Sequence, residues 1–144
     1  ICERAEQQPE TQISKHRFDV KFQQADESIA MASVYIANHF NIKAVICFTE
    51  SGNTPLLMSR LRTATPIFAV TNNKITASLV CLYRGVYPLM FDAGTLAKDD
   101  VDTSIIYLLS QHFKLNKNDN ILITKRDIQG LQGNTDMLKI CQFK

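Results

Sequence analysis

Charge of one sign is scarce in this chain. Sixteen Lys and Arg stand against 14 Asp and Glu, for a net charge of +2. The cations are scattered rather than striped, so nothing argues for nucleic acid as a partner. Long apolar runs are missing too: none approaches the ~18 residues that a membrane span needs, and no secretory pattern opens the chain. The four cysteines, Cys2, Cys47, Cys81 and Cys141, lie far apart and form no C-x-x-C pair, which excludes a disulfide framework and a zinc site. Cys47 and Cys81 sit inside apolar segments and read as buried free thiols of a cytosolic protein. There is no G-x-x-x-x-G-K-S/T, no metal-ligand spacing, and no Ser/His/Asp or Cys/His set that a coarse topology brings together. Repeats and low-complexity tracts are likewise absent.

What is present is an ordinary globular composition, 45% hydrophobic and 21% charged over 144 residues, enough for one domain with a real core. The chain starts without Met and reads as a piece of something longer. Residues 1–8 look like a helix end and 9–25 like a polar linker carrying Pro9. Asp26 is the expected cap of a helix whose small apolar stripe runs through Ile29, Ala30, Ser33, Ala37 and Phe40. Continuous apolar runs at 44–48, 67–71, 86–91 and 120–124 alternate with helical patterns at 55–62, 73–83 and 99–113. Strands covered on both faces mean a parallel sheet between helices. The run 137–143 follows a turn with Gly130 and Gly133 and no helix, which favours an antiparallel edge strand. The expected fold is therefore a three-layer α/β/α domain with a mixed five-stranded sheet, mostly parallel, its last edge strand antiparallel.

The segment Thr49-Glu50-Ser51-Gly52-Asn53-Thr54-Pro55 carries the main functional signal. It joins a strand to a helix, with Thr54 as expected N-cap and Pro55 as first helical residue. A hydroxyl-rich loop at a helix start aims free N–H groups at a phosphate or carboxylate, although such residues also serve simply to cap helices. In a doubly wound sheet, ligands lie where the strand order reverses. That point falls between strands 44–48 and 120–124, so the loop should face Lys125 and Arg126, a cationic pair whose alternative role is a solvated loop. Gly85 is the expected C-cap of helix 73–83, with Arg84 in its last turn. His39 and His112 each end a helix, where an imidazolium suits the dipole, and His16 lies between Lys15 and Arg17 as a contact residue. Asp92 after the third strand, with Lys125, offers a weaker rival, a receiver-like phosphorylation site; that fold also needs an acidic pair after the first strand, where only Glu50 stands.

Thr49 to Thr54, Pro66 to Asn72 and Leu82-Tyr83-Arg84-Gly85-Val86-Tyr87-Pro88 together resemble the C-terminal domain of pyruvate kinase. Ile1 to Glu6 resembles the last helix of that enzyme's barrel. Ser14-Lys15-His16-Arg17, Asp19-Val20 and Phe22 resemble the connector of the bacterial type activated by AMP and sugar monophosphates. Gly133-Asn134-Thr135-Asp136 and the run to Ile140 resemble the family's closing G-x-T-N turn and final strand. The resemblance implies a barrel-end and connector over 1–25 and the α/β domain over 26–144. It implies effector-phosphate contacts from Thr49, Ser51, Gly52, Asn53 and Thr54, helped by Lys125 or Arg126. Asn53 stands where some members carry Lys or Arg, and Glu50 adds negative charge, which points to AMP or a sugar monophosphate over a bisphosphate. Lys125-Arg126 departs from the Gln-Gly of the nearest type, and Asp136 replaces its usual Asn.

The implied role is effector binding and subunit assembly in a cytoplasmic, homotetrameric glycolytic enzyme that moves phosphoryl from phosphoenolpyruvate to ADP. Mg2+ and K+ would belong to the barrel; this piece would hold no cofactor and catalyse nothing alone. Strand 137–143 is the interface candidate. A stand-alone module for a phosphorylated metabolite and a purely structural oligomerisation domain are the alternatives.

Overall fold

A computed structural model describes residues 4, 5, 7, 8, 21–92, 94, 98–126 and 135–144. The expectations placed on Cys2, most of the connector with His16, Gly130, Gly133 and Asn134 lie outside them. Among the described residues from 21 on, four helices and five strands follow one another: α1 (Ala25–His39), β1 (Ile42–Phe48), α2 (Asn53–Leu61), β2 (Ile67–Thr71), α3 (Lys74–Val80), β3 (Val86–Met90), α4 (Lys98–His112), β4 (Asn120–Lys125) and β5 (Met137–Gln142). No helix among the described residues is long and apolar enough to cross a membrane.

The strands form one sheet in the order β3-β2-β1-β4-β5. β1 runs parallel to β2 and β4, β2 parallel to β3, and β5 antiparallel to β4. The sheet is thus mixed and mostly parallel, with an antiparallel last edge, as the apolar runs predict. The central strands follow from their sequences. All five residues of β2, IFAVT, are buried, and β1 and β4 bury continuous runs of four. Fully burying one such aliphatic side chain contributes about 1.5–3 kcal/mol. β3 departs from the continuous pattern: Val86 and Leu89 are buried while Tyr87, Pro88 and Met90 are exposed. It is an edge strand, where the missing N–H of Pro88 is tolerated.

The two faces of the sheet are covered unequally. Ala30, Val34 and Ala37 of α1, Met58 of α2 and Val80 of α3 pack on one face against Val45, Cys47, Ala69 and Leu122. On the other, α4, the one described helix there, brings Ile105 and Leu109 onto Ile46, Phe68, Val70 and Ile123. After β1 the chain moves outward through β2 and β3, then returns to β4 on the opposite side of β1. The carboxyl ends of β1 and β4 therefore flank the switch point.

Several local expectations need correction. α1 begins at Ala25 with Gln24 as N-cap, so Asp26 lies inside the first turn and is buried. α2 begins at Asn53 with Gly52 as N-cap; Gly52 takes φ 83° and its carbonyl accepts from Leu56 N at 3.2 Å. The helix therefore opens before Thr54, and Pro55 is its third residue, still within the turn that needs no N–H. α3 ends at Val80, and Leu82 and Tyr83 donate to Leu79 and Val80 in tight turns instead of continuing it. Arg84 is thus outside the helix, and its carbonyl accepts from Ser59 Oγ at 2.8 Å. Gly85 keeps the expected positive φ, at 70°. Cys47 is buried, but Cys81 is exposed, because it sits just past the helix end on the outer side. His39 and His112 do end their helices, and His39 Nδ1 lies 2.8 Å from the Tyr35 carbonyl.

Candidate functional site

The loop after β1 is held by its own side chains and by its neighbours. Thr49 N donates to Val70 O at 2.9 Å, which extends the β1–β2 pairing by one residue. Thr49 Oγ1 accepts from Gly52 N at 2.8 Å, closing a hydroxyl turn of the kind Ser and Thr favour. Thr76 Oγ1 on α3 donates to Glu50 O at 2.6 Å. Gly52 is required where it stands: its φ is positive, and a Cβ there would lie 3.2 Å from Val80 Cγ1.

The first turn of α2 is tied down from two sides. Asn53 Nδ2 donates to Asp26 Oδ2 at 2.7 Å, and Asp26 Oδ1 accepts from Glu27 N at 3.0 Å. Thr54 Oγ1 lies 2.9 Å from Thr135 Oγ1 in a buried pair, which brings the approach to β5 onto this helix start. Ser51 and Asn53 are exposed, Gly52 and Thr54 buried. No acceptor among the described residues takes the N–H groups of Ser51, Asn53 or Thr54. With the positive end of the α2 dipole behind them, these groups and the Ser51 hydroxyl are arranged to meet an anion.

The end of β4 divides its two cations. Lys125 Nζ donates to Asp102 Oδ1 on α4 at 2.7 Å, and Lys139 Nζ on β5 donates to Asp102 Oδ2 at 2.9 Å. Burial pushes the Asp102 carboxyl up, but the hydrogen bonds and charges of the two lysines outweigh it and hold the group below the ordinary carboxylate range. Alternation along the strand turns Arg126 the other way, and its Nη2 lies 3.7 Å from Glu50 Oε1. The loop after β1 and the end of β4 therefore meet across the switch point, as the topology argument requires, through Arg126 rather than Lys125. The rival pairing of Asp92 with Lys125 is not assembled: β2 and β1 separate β3 from β4, and Lys125 is engaged with Asp102.

Beneath the loop, Cys47 and Thr124 are register partners on β1 and β4. Burial pushes the Cys47 thiol up to about 12, offset in small part by the Thr124 hydroxyl beside it. That hydroxyl finds no hydrogen bond of ordinary geometry among the described residues. Sequence reasoning did not single out Thr76, Thr135, Asp26, Asp102 or Lys139 for this site. Thr135 had a signal, the closing Gly-Asn-Thr-Asp turn. Asp26 carries only the signal of a helix cap, and the others are scattered polar residues without a local pattern.

The family model described as the alpha/beta domain of pyruvate kinase matches residues 27–141. The chain is 42% identical over 141 residues to a pyruvate kinase of Buchnera aphidicola subsp. Schizaphis graminum, covering 97% of this chain and 29% of that protein. It is 38% identical over 144 residues to pyruvate kinase II of Salmonella typhimurium, with the same coverage. Against a pyruvate kinase of Schizosaccharomyces pombe it is 31% identical over 121 residues, covering 81% of this chain and 24% of that one. It thus spans less than a third of the length of these curated relatives.

Proposed function

We propose, from the premise that this chain belongs to the pyruvate kinase family as its alpha/beta domain, that it binds a phosphorylated effector at the start of α2 and helps to join subunits. The observation that carries this reading is the meeting at the switch point. The backbone N–H groups of Ser51, Asn53 and Thr54, which no described residue accepts, open a helix next to the loop whose Glu50 meets Arg126. The phosphate would rest on these groups and on hydroxyl donors from Thr49 and Ser51, with Gly52 letting it approach the backbone. Thr49 Oγ1 accepts from Gly52 N, which leaves its own proton to donate. Arg126 supplies the charge; Lys125, held by Asp102, contributes only at a distance. A cation already faced by the Glu50 carboxylate suits AMP or a sugar monophosphate better than a bisphosphate.

The parent enzyme would transfer phosphoryl from phosphoenolpyruvate to ADP in the cytoplasm. Its Mg2+ and K+ would lie in the barrel, reached through the connector over 1–25. Among the described residues no three His, Cys, Asp or Glu side chains gather as metal ligands. The domain would catalyse nothing alone. β5, with Ile140 exposed and at the edge of the sheet that the described residues form, is the surface through which a second copy would pair in the tetramer.

One observation favours an assembly-only domain. Part of the loop's polar groups already satisfy one another, through Thr49 with Gly52, Thr76 with Glu50 and Thr54 with Thr135. Calorimetric titration with AMP, ribose 5-phosphate, glucose 6-phosphate and fructose 1,6-bisphosphate separates the two. Saturable binding of a monophosphate, abolished in Ser51→Asp, is the expected result. No heat with any of the four would leave assembly as the function.

A further inference from the structure

Glu50 is an acidic residue inside a loop read as an anion site, and its position is fixed by the backbone rather than by its charge. Thr76 Oγ1 holds its carbonyl at 2.6 Å, and the preceding Thr49 N–H is bonded to Val70 O. The carboxylate reaches into solvent, 87% exposed, and its Oε1 lies 3.7 Å from Arg126 Nη2. Lys125, the other cation of the β4 end, is turned away and bonded to Asp102 at 2.7 Å. Arg126 is therefore the cation that this side of the switch point offers a ligand, and a carboxylate of the same chain already faces it.

We infer that Glu50 is a resident competitor for Arg126, a specificity-determining residue that keeps effector affinity low and dependent on salt. This rests on the effector reading above. An ion pair this exposed is weak, so a phosphate with charge near −2 and three acceptor oxygens displaces it. The displaced carboxylate remains on the same short loop. It then faces the phosphate as a like charge, and a second phosphate on the ligand adds to that repulsion. Weak pairing thus still lowers affinity, because the competitor is removed from the cation but not from the site.

The test follows ribose 5-phosphate by the amide shifts of Ser51 and Gly52, which read affinities into the millimolar range. Wild type, Glu50→Gln, Arg126→Gln and the double variant are compared at low and high salt. Glu50→Gln is expected to bind about three- to fivefold tighter at ~10 mM salt. The gain should shrink as the screening length falls from about 30 Å to below 10 Å. With Arg126 replaced, removing Glu50 should bring a clearly smaller gain, because only the like-charge repulsion is then relieved. A wild type that binds with no gain in Glu50→Gln, or an equal gain without Arg126, overturns the inference and leaves the effector reading standing. No binding by wild type and Glu50→Gln alike removes the effector reading, and this inference falls with it.

Discussion

Gly52 links the fold to the site, because one residue sets both the turn and the helix start. Gly52→Ala puts a side chain at φ 83° and 3.2 Å from Val80 Cγ1. It should lower stability by about 1–2 kcal/mol, read as a shift in urea midpoint without a change in slope. Asp102 supplies a pH-dependent term. Its folded carboxyl titrates below the unfolded one, so its contribution is complete above the unfolded value near pH ~4 and is lost as pH falls through the lower folded value. Asp102→Asn should cost about 1 kcal/mol at pH 7, a modest figure because Lys139 is half exposed and solvent screens its share. The same variant should flatten the acid side of the stability profile, and urea titrations at pH 7, 4 and 2.5 would show whether it does.

At the scale of elements, the β1–α2 loop is held to α3 by one hydroxyl. Thr76→Val keeps the shape of a buried residue but removes the donor to Glu50 O. We expect a loss of about 1–2 kcal/mol from the unpaired carbonyl and faster amide exchange across residues 49–53, with little change on α4. Elements were the legible level of this sequence. Apolar runs covered on both faces announced β1, β2 and β4, and the lack of a helix before the last run announced an antiparallel β5. The start of α2 was misjudged because Gly52 can cap from a left-handed conformation, whereas the rules for Thr and Pro assume an extended cap. The partners of the site residues were not legible. Lys125 finds Asp102 across 23 positions and Thr54 finds Thr135 across 81, and no periodicity encodes such pairs. Which way Lys125 and Arg126 point follows from strand alternation, but only once the end of β4 is known.

For the whole molecule the uneven layering is decisive. Among the described residues three helices share one face of the sheet, while α4 is the one helix on the other, through Ile105 and Leu109. Leu109→Ala, at a fully buried position, should cost about 2–5 kcal/mol. It should also raise binding of a hydrophobic dye, since no second described helix lies over Phe68 and Val70. The register of the central strands has a practical consequence as well. Cys47 lies at the heart of β1 with its thiol raised to about 12, whereas Cys81 stands in the open. An alkylating reagent at neutral pH should label Cys81 at once and Cys47 only when the sheet comes apart. The chain thus carries its own clock: with Cys2, Cys81 and Cys141 replaced by Ser, the rate at which mass is added at Cys47 counts openings of the whole domain.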